Sequence, residues 1–255
     1  MADRALPDII RSVCHAHGIT CRSFSDDWVF RLEKDGAVKW VINYTFDINS
    51  AASAELTSDK VACFHALSHA GLSAVAHYLV RSRGADVFIE PEETFERLVA
   101  KPLAASGGMC VMPYDSIDSV REYVMSQPAG DWCISPRIDI QRELRYIVLD
   151  EQTILAYEKS SPDDTHGLPM YNLSRGAVAQ VVDPDRELAE LARQATTRLG
   201  LRSSAVDIAQ LYDNSYTIME VNHRFGMEHF ARQSDEYYQL AYDVYQKVID
   251  AMITI

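Results

Sequence analysis

The chain has 255 residues, of which 47% are hydrophobic and 24% charged, and this composition is typical of a folded globular protein. Its formal net charge of −13 argues against nucleic-acid binding, because contact with a phosphate backbone needs a basic surface. No apolar run is long enough to cross a bilayer, no signal-peptide core stands at the start, and the cysteines contain no C-x-x-C pair, which together indicate a cytoplasmic protein with reduced thiols.

Hydrophobic periodicity and turn residues predict alternating helices and hairpins along the chain. Asp35-Gly36 between two alternating runs is a hairpin signal, and Asp183 followed by Pro184 is the expected start of a helix that Gly200 ends. In chain order the expected elements are a helix over 6–17, a hairpin over 26–44, a connector over 45–57, a helix from Thr57 or Ser58 to about Ala70, strands over 85–90 and 98–102, a helix over 116–127, a hairpin over 143–159, a helix over 184–199, a hairpin over 203–222 and a helix over 235–252. Hairpins mixed with helices, without strict β-α-β alternation, predict an α+β fold with antiparallel sheets.

The third hairpin carries polar residues that are unusual for a largely apolar pair of strands. If its turn is Asp213-Asn214, then Asp207 lies opposite Glu220, and facing Cβ atoms are roughly 4.5–5.5 Å apart. Asn222 shares the face of Glu220, since residues two apart in a strand point the same way. Two carboxylates and an amide oxygen suit Mg²⁺. A solvent-facing side of a sheet is the alternative interpretation, and a one-residue register slip would separate the two acids.

A magnesium site with few carboxylates usually completes its shell with phosphate and water, so the sequence should also hold phosphate-binding residues. Neither G-x-x-x-x-G-K-[ST] nor G-x-G-x-x-G occurs. Lys101 ends an apolar strand and precedes a loop of small residues, 104–109, whose backbone N–H groups are candidates for phosphate contacts, with a plain turn as the alternative. Arg145 and Lys159 are further cations within apolar surroundings.

Five segments between residues 58 and 232 carry a family resemblance in their order and spacing. They are SDKVACFHALSHAGLSAVAH, LVAKPLAASGGMCV, ELRYIVLDEQTILAYEK, MYNLSRGA and SSAVDIAQLYDNSYTIMEVNHRFGMEHF. Together they resemble the ATP-grasp superfamily, and most closely its D-alanine–D-alanine ligases and ribosomal-protein glutamate ligases. The resemblance implies two α+β subdomains with antiparallel sheets that clasp ATP, behind a shortened N-terminal domain. The implied boundaries are 1–57, 58–130 and 131–255.

The resemblance also implies a role for each matching residue. The implied nucleotide-binding residues are Lys60, Lys101, Ser106, Gly107 and Gly108, with Trp132, Cys133 and Ile134 in the segment expected to contact adenine. The resemblance implies Arg145 at the γ-phosphoryl group and Asn172 as catalytic residues, and Asp207, Glu220 and Asn222 as metal ligands. Lys159 and Arg224 are two further catalytic candidates, which the resemblance does not supply. Arg224 departs from the family pattern and is a candidate clamp for a substrate carboxylate, with a surface pair to Glu228 as the alternative.

These matches imply an ATP-dependent ligase that joins a carboxylate to an amine through an acylphosphate, with an amino acid or small peptide as the expected substrate. ATP and two Mg²⁺ ions are the expected cofactors, with Mn²⁺ as an alternative ion. The expected partners are small-molecule carboxylate and amine substrates, with no nucleic acid and no membrane, and a homodimer stays open. Two other functions also stay open: a phosphotransferase that stops at phosphorylation, and a nucleotide-binding regulatory protein without turnover.

Overall fold

A computed structural model describes residues 4–83, 86–90, 95–104, 108, 110–128, 130–160, 163–165 and 167–254. Within these ranges the chain forms seven α-helices and sixteen β-strands, which pair in four sheets. None of the helices in the described part of the chain combines the length and the apolar character that spanning a membrane requires.

The helices and strands follow one another in mixed order. The helices are α1 (Ala5–Ala16), α2 (Ala51–Ser58), α3 (Lys60–His69), α4 (Ile117–Ser126), α5 (Arg186–Arg198), α6 (Glu228–Ala231) and α7 (Asp235–Ile253), with a 3₁₀ turn at Leu173–Arg175. The strands are β1 (Thr20–Phe24), β2 (Val29–Lys34), β3 (Ala37–Ile42), β4 (Thr45–Phe46), β5 (Tyr78–Arg83), β6 (Asp86–Ile89), β7 (Leu98–Pro102), β8 (Met112–Tyr114), β9 (Gly130–Pro136), β10 (Ile140–Leu149), β11 (Gln152–Ser160), β12 (Asp163–Thr165), β13 (Leu168–Met170), β14 (Val178–Val181), β15 (Ser203–Leu211) and β16 (Tyr216–Asn222).

Three sheets define the architecture, and all their strand pairs are antiparallel. The N-terminal sheet has the order β1-β2-β3-β4, the central sheet β6-β5-β9-β7-β8, and the C-terminal sheet β14-β11-β10-β15-β16. Strands β12 and β13 form a separate two-stranded ribbon. The α+β fold predicted from the sequence is therefore confirmed.

The C-terminal sheet is covered on both faces, which explains why its strands are largely apolar. Leu144 and Tyr146 of β10 pack with α3 and α5 on one face. Ile147 and Leu149, which alternate with them, pack with α1, α7 and the N-terminal sheet on the other face. Arg145 has the parity of this second group, so the polar side chains near the middle of the sheet share a face with a hydrophobic core.

The central sheet has its own smaller core, formed with α4 around Leu98, Val120 and Ile134. Two segments join it to the C-terminal sheet: the one between α3 and β5, and residues 137–139 between β9 and β10. In the first segment Val75 N–H donates to Ile218 O at 2.9 Å, which extends the edge of the C-terminal sheet before the chain enters β5.

The pairing of β15 with β16 confirms that Asp207 faces Glu220, although the predicted two-residue turn is wrong. Leu211 N–H donates to Ser215 O at 2.9 Å, so three residues form the turn. This shift alone would separate the acids. A bulge at Met219 restores the register, because Ile208 pairs with Ile218 while Asp207 still pairs with Glu220.

Several element boundaries differ from the sequence prediction. The expected connector over 45–57 contains β4 and most of α2, and β1 was not predicted at all. Helix α3 is capped by Asp59 rather than by Thr57 or Ser58, since the Asp59 carboxylate accepts the N–H groups of the first turn. Helix α5 begins two residues later than expected, because the cap is Asp185 rather than Asp183.

The sheets also bear on the implied boundaries of the domains. Strand β9 begins at Gly130 and belongs to the central sheet, so a division at 130/131 would assign nearly all of it to the C-terminal subdomain. Cys63 and Leu67 of α3 pack in the core of the C-terminal sheet. We therefore propose that the central subdomain comprises about residues 76–136, and that α3 belongs with the C-terminal subdomain.

The cap of α5 allows a direct test of its corrected start. The Asp185 carboxylate accepts the N–H groups of Glu187 at 2.8 Å and Leu188 at 3.1 Å. Asp185→Ala is expected to lower the free energy of unfolding by about 1 kcal/mol, because two N–H groups lose their acceptor. Asp183→Ala, an exposed neighbour outside the helix, is the matched control and should change it little. Equal effects in urea unfolding would contradict this assignment.

Candidate active site

A cleft of about 530 Å³ separates the central sheet from the C-terminal sheet. One end is lined by Lys101 and residues 135–138 of the central subdomain. The other end is formed by Asn43, Tyr44, Arg224, Gly226 and His229, and we call it the hairpin end because the first two residues are the turn of the β3–β4 hairpin.

Most of the residues singled out in the sequence meet in this cleft. Ten of them line it: Lys60, Lys101, Gly108, Arg145, Lys159, Asn172, Asp207, Glu220, Asn222 and Arg224. Ser106 and Gly107 lie outside the described residues. Among the lining residues that the structure describes, six are lysine or arginine and three are aspartate or glutamate. The cleft is thus locally rich in positive charge, although the whole chain is acidic.

A row of four charged side chains crosses the floor of the cleft. Arg145 donates to both oxygens of Asp207, with Nε–Oδ1 at 2.7 Å and Nη2–Oδ2 at 2.6 Å. Lys159 Nζ donates to Asp207 Oδ1 at 2.8 Å and to Glu143 Oε1 at 2.5 Å. These residues occupy facing positions on β10, β11 and β15, so the strand register fixes the row.

The row sets the protonation of its members. Burial alone would raise the pKa of Asp207, but Arg145 and Lys159 outweigh it and lower that pKa to about 2. Burial raises the pKa of Glu143, and Lys159 only partly opposes this. Burial and Arg145 act to lower the pKa of Lys159, yet the carboxylates of Asp207 and Glu143 raise it overall. Asp207 is therefore held as an anion between two cations.

Glu220, Asn222 and Lys60 form the wall next to this row. Lys60 lies at the start of α3, with Nζ 3.3 Å from Glu220 Oε1 and 3.4 Å from Leu103 O. Asn222 pairs with Ala205 of β15, two residues further along the strands than the Asp207–Glu220 pair, and therefore lies on the same face. Its Nδ2 is buried and has no hydrogen-bond partner within the described residues.

The predicted magnesium ligands fit an oxygen-preferring ion. A carboxylate has about four acceptor positions, of which Arg145 and Lys159 use three on Asp207, so one remains. Glu220 keeps an oxygen beyond its contact with Lys60. In the described part of the chain no group of three or more His, Cys, Asp or Glu converges, so the predicted set reaches three oxygen ligands only through the amide of Asn222. Two carboxylates and an amide match the preference of Mg²⁺.

Lys101 is a partly buried cation that lacks a counter-charge within the described residues. Burial is the largest influence on its pKa and lowers it, and the nearby Lys60 adds to this, while Cys133 and Glu220 act in the opposite direction. Within the described residues the Lys101 ammonium has no hydrogen bond or ion pair. An anionic ligand in the cleft would relieve the cost of burying this charge.

Gly108 connects the loop after Lys101 to Asn172. It has a φ of +69°, which favours glycine, and a Cβ there would lie 2.6 Å from both Asn172 Oδ1 and Met170 Cε, so a larger residue would displace the ends of these two side chains. Arg175 Nη2 donates to Gly108 O at 3.0 Å. The end of the loop is thus held against the segment that carries Asn172.

The three residues expected near adenine do not line the cleft. Trp132 and Ile134 face the core of the central sheet with α4, and Cys133 is fully buried opposite Lys101 in the strand register. The chain lines the cleft three residues later, through Ser135, Pro136, Arg137 and Ile138. The predicted residues thus lie on the strand that leads into the cleft, and their contact with adenine stays a prediction.

Arg224 lines the hairpin end and forms no ion pair within the described part of the chain. The alternative partner, Glu228, is already engaged. Its carboxylate accepts the N–H groups of Ala5 at 2.6 Å and Leu6 at 3.2 Å, and the hydroxyl of Tyr44 at 3.0 Å. Arg224 is therefore available for a ligand.

Sequence reasoning missed several lining residues. Glu143 stands two residues before Arg145 in a strand, so the alternation places both on one face and could have identified it. No local feature of the sequence identifies Asn43, Tyr44 or Arg137 as cleft residues, because their positions depend on how the N-terminal and central sheets pack.

Comparison with known proteins gives the family. Residues 57–250 match the model of the RimK-like ATP-grasp domain, so the chain belongs to this family. No curated protein sequence matches the chain. The family and the fold agree with the resemblance drawn from the five segments.

Solved structures of ATP-grasp ligases share the fold at low sequence identity. D-alanine–D-alanine ligase from Bacillus anthracis, complexed with ATP, superposes with a TM-score of 0.58 at 16% identity, covering 81% of this chain and 68% of the ligase. The ATP-grasp ligase PsnB, complexed with a minimal precursor, gives 0.53 at 17% identity, covering 78% and 63%. A bifunctional glutathione synthetase from Pasteurella multocida gives 0.57 at 12% identity, covering 95% and 44%. The chain thus spans less than two thirds of PsnB and less than half of the synthetase.

Two similar substitutions, one in the charged row and one beside it, are expected to destabilise the fold to very different extents. Asp207→Asn is expected to destabilise the fold by about 3–5 kcal/mol, because Arg145 and Lys159 lose their shared buried anion. Glu220→Gln should cost at most about 1 kcal/mol, since Glu220 is one-third exposed and forms one longer pair with Lys60. Urea unfolding of both variants measures the difference. Similar losses would mean that Asp207 is not the structural centre of the row.

Proposed function

We propose that the protein is an ATP-dependent ligase that joins a carboxylate to an amine through an acylphosphate. The observation that carries this proposal is the excess of cations over anions in the cleft lining, with Lys101 and Arg224 lacking counter-charges within the described residues. Two separate anionic groups would supply them: a nucleotide phosphate near Lys101, and a carboxylate near Arg224. The family supports the same assignment.

The chemistry explains why so much positive charge is needed. A triphosphate and a carboxylate repel each other, so the cleft must offset that repulsion before the reacting oxygen can approach the γ-phosphorus. In this proposal Lys60 and Lys101 bind phosphate oxygens. Arg145, which lines the cleft, stabilises charge on the transferring phosphoryl group. The Arg224 fork can orient the carboxylate with two parallel hydrogen bonds.

The proposed reaction has two balanced steps. A carboxylate oxygen of the first substrate attacks the γ-phosphorus, the bond to the bridging oxygen breaks, and ADP leaves. The lone pair of a neutral amine then attacks the acyl carbon of the acylphosphate. The C–O bond to phosphate breaks, inorganic phosphate leaves, and the amine proton passes to solvent, which leaves an amide.

Asp207, Glu220 and Asn222 are the residues that would hold Mg²⁺, in one ion or two, with Mn²⁺ as the alternative. When bound, the ion supplies charge neutralisation of the phosphate oxygens. Asp207 also keeps Arg145 and Lys159 in place through hydrogen bonds that involve no metal. Removing the metal should therefore weaken ATP binding without disturbing the row of charged side chains.

The proposed substrates are an amino acid or small peptide and an amine. Two of the neighbours named above are ligases by name, one complexed with ATP and one with a minimal precursor, which is consistent with this class. A phosphotransferase needs the same phosphate contacts but no amine subsite. A regulatory protein without turnover would not need Arg145 at the centre of the floor. The five free thiols are consistent with the proposed cytoplasmic location.

The function is tested by incubating the protein with ATP, Mg²⁺ and pairs drawn from the standard amino acids, and measuring ADP, inorganic phosphate and product mass together. A ligase gives equal ADP and phosphate and a product lighter than the two substrates by one water. ADP without free phosphate would establish a phosphotransferase instead. No ADP with any pair, despite measurable ATP binding, would favour the regulatory alternative and contradict the proposal.

Lys101 provides the sharpest test of the nucleotide end. Lys101→Met keeps the length of the side chain but removes the charge, and it should weaken ATP binding at least tenfold, about 1.4 kcal/mol, when measured by calorimetry. Lys247→Met is the matched control, because Lys247 is an exposed lysine on α7 outside the cleft. Unchanged affinity in the Lys101 variant would remove Lys101 from the site.

A further inference from the structure

The hairpin end of the cleft carries an exposed histidine, His229, on the short helix α6. It is the only histidine among the described residues that line the cleft. Its carbonyl oxygen accepts from Gln233 Nε2 at 3.2 Å, whereas its ring has no hydrogen-bond partner in the described part of the chain. Because the side chain is exposed, its ring nitrogens are accessible to a molecule in the cleft.

The backbone that carries His229 is fixed by its two neighbours in the sequence. On one side the Glu228 carboxylate accepts two N–H groups at the start of α1 and the hydroxyl of Tyr44. On the other side Phe230 is fully buried, and its ring stacks on Tyr237 with centroids 4.7 Å apart. The fold therefore sets the position of His229 at the hairpin end.

His229 also borders a second, open groove of about 660 Å³ that runs beside β14. The groove and the cleft share Leu173 and His229, so His229 lies where the two meet. An amine can reach this point from solvent without passing the nucleotide end at Lys101. A proton taken up here can also be returned directly to water.

The strand register places Glu143, another possible proton acceptor, far from the hairpin end. Glu143 pairs with Ala209 of β15, whereas Asn222, two residues before Arg224, pairs with Ala205. Four residues of β15 separate the two levels, which is about 13 Å at 3.3 Å per residue. Glu143 therefore belongs to the opposite end of the floor.

The groups closer to the hairpin end have other roles. The remaining acceptor positions of Asp207 and Glu220 are the ones that would hold Mg²⁺. The Tyr44 hydroxyl donates to Glu228, and burial together with that carboxylate raises the pKa of Tyr44, so the phenol keeps its proton. Among the residues that form the hairpin end, His229 is thus the one suited to accept a proton.

From this geometry we infer that His229 is the general base of the amide-forming step. As the amine nitrogen bonds to the acyl carbon, an unprotonated ring nitrogen of His229 accepts a proton from it. The C–O bond to phosphate then breaks, its electron pair leaves with the phosphate, and the imidazolium returns the proton to water. The inference rests on the proposed ligase function and deepens it by assigning a catalytic residue to the second step.

The test measures the two steps separately in His229→Ala. With the carboxylate substrate alone, the ADP formed in a single turnover and measured after acid quenching should be unchanged. With the substrate pair found by the ADP screen, amide formation should fall about a hundredfold or more, as is usual when a general base is lost. Added imidazole should raise it again at least tenfold, because the exposed position leaves room for the free base.

Two further variants make the result specific to proton transfer. His229→Gln occupies the space but cannot take up the proton, so it should lose amide formation equally and gain nothing from imidazole. His69→Ala is the matched control, because His69 is an exposed histidine on α3 outside the cleft, and both steps should be unchanged.

The outcomes distinguish this inference from the proposed function. Full amide formation in His229→Ala, or a loss that imidazole does not reverse, would overturn the role of His229 while the ligase function stands. If the unaltered protein forms no amide with any substrate pair, the ligase function itself is wrong, and the role of His229 falls with it.

Discussion

The structure of the site depends on the placement of Asp207 between Arg145 and Lys159 on a buried face of the C-terminal sheet. A lone carboxylate there would be protonated or expelled, because burial without a partner is costly. With two cations in hydrogen-bonding contact it stays ionised, and its lowered pKa reflects that. Because β10, β11 and β15 are adjacent in the sheet, the same pairing that builds the hydrophobic core also aligns the charges.

The row also explains how an acidic protein can present a basic cleft. Asp207 and Glu143 neutralise the two cations on the floor, so the uncompensated positive charge is concentrated at Lys101 and Arg224, which lie on different walls. Negative charge elsewhere on the surface is separated from the cleft by solvent and is screened within about 10 Å at ordinary ionic strength. Local arrangement therefore outweighs net charge in deciding what this site can bind.

Much of the fold and of the candidate site could be predicted from the sequence, but one correct prediction rested on a wrong turn. Alternation of apolar residues identified the strands that carry Arg145, Lys159, Asp207 and Glu220, because a two-residue period is a local property. The facing of Asp207 and Glu220 was predicted from a turn that is one residue too short, and the bulge at Met219 compensates for it. The residues around Met219 do not indicate a bulge in the sequence. The exit of the chain into residues 135–138 and the docking of the β3–β4 turn depend on packing between sheets, which no short window of sequence records.

The position of the N-terminal sheet has a further consequence for the whole molecule. Helix α1, the β3–β4 turn and the segment after β16 meet at the Glu228 carboxylate, and α7 packs beneath them in the same core as Ile147 and Tyr157 of the C-terminal sheet. The central sheet has a separate core and joins this body through two short segments, one at Val75 and one at residues 137–139. Lys101 and Arg224 therefore belong to two differently packed bodies. The distance between the nucleotide end and the hairpin end depends on how these two bodies pack at both connections, and not on the pairing of strands within either sheet.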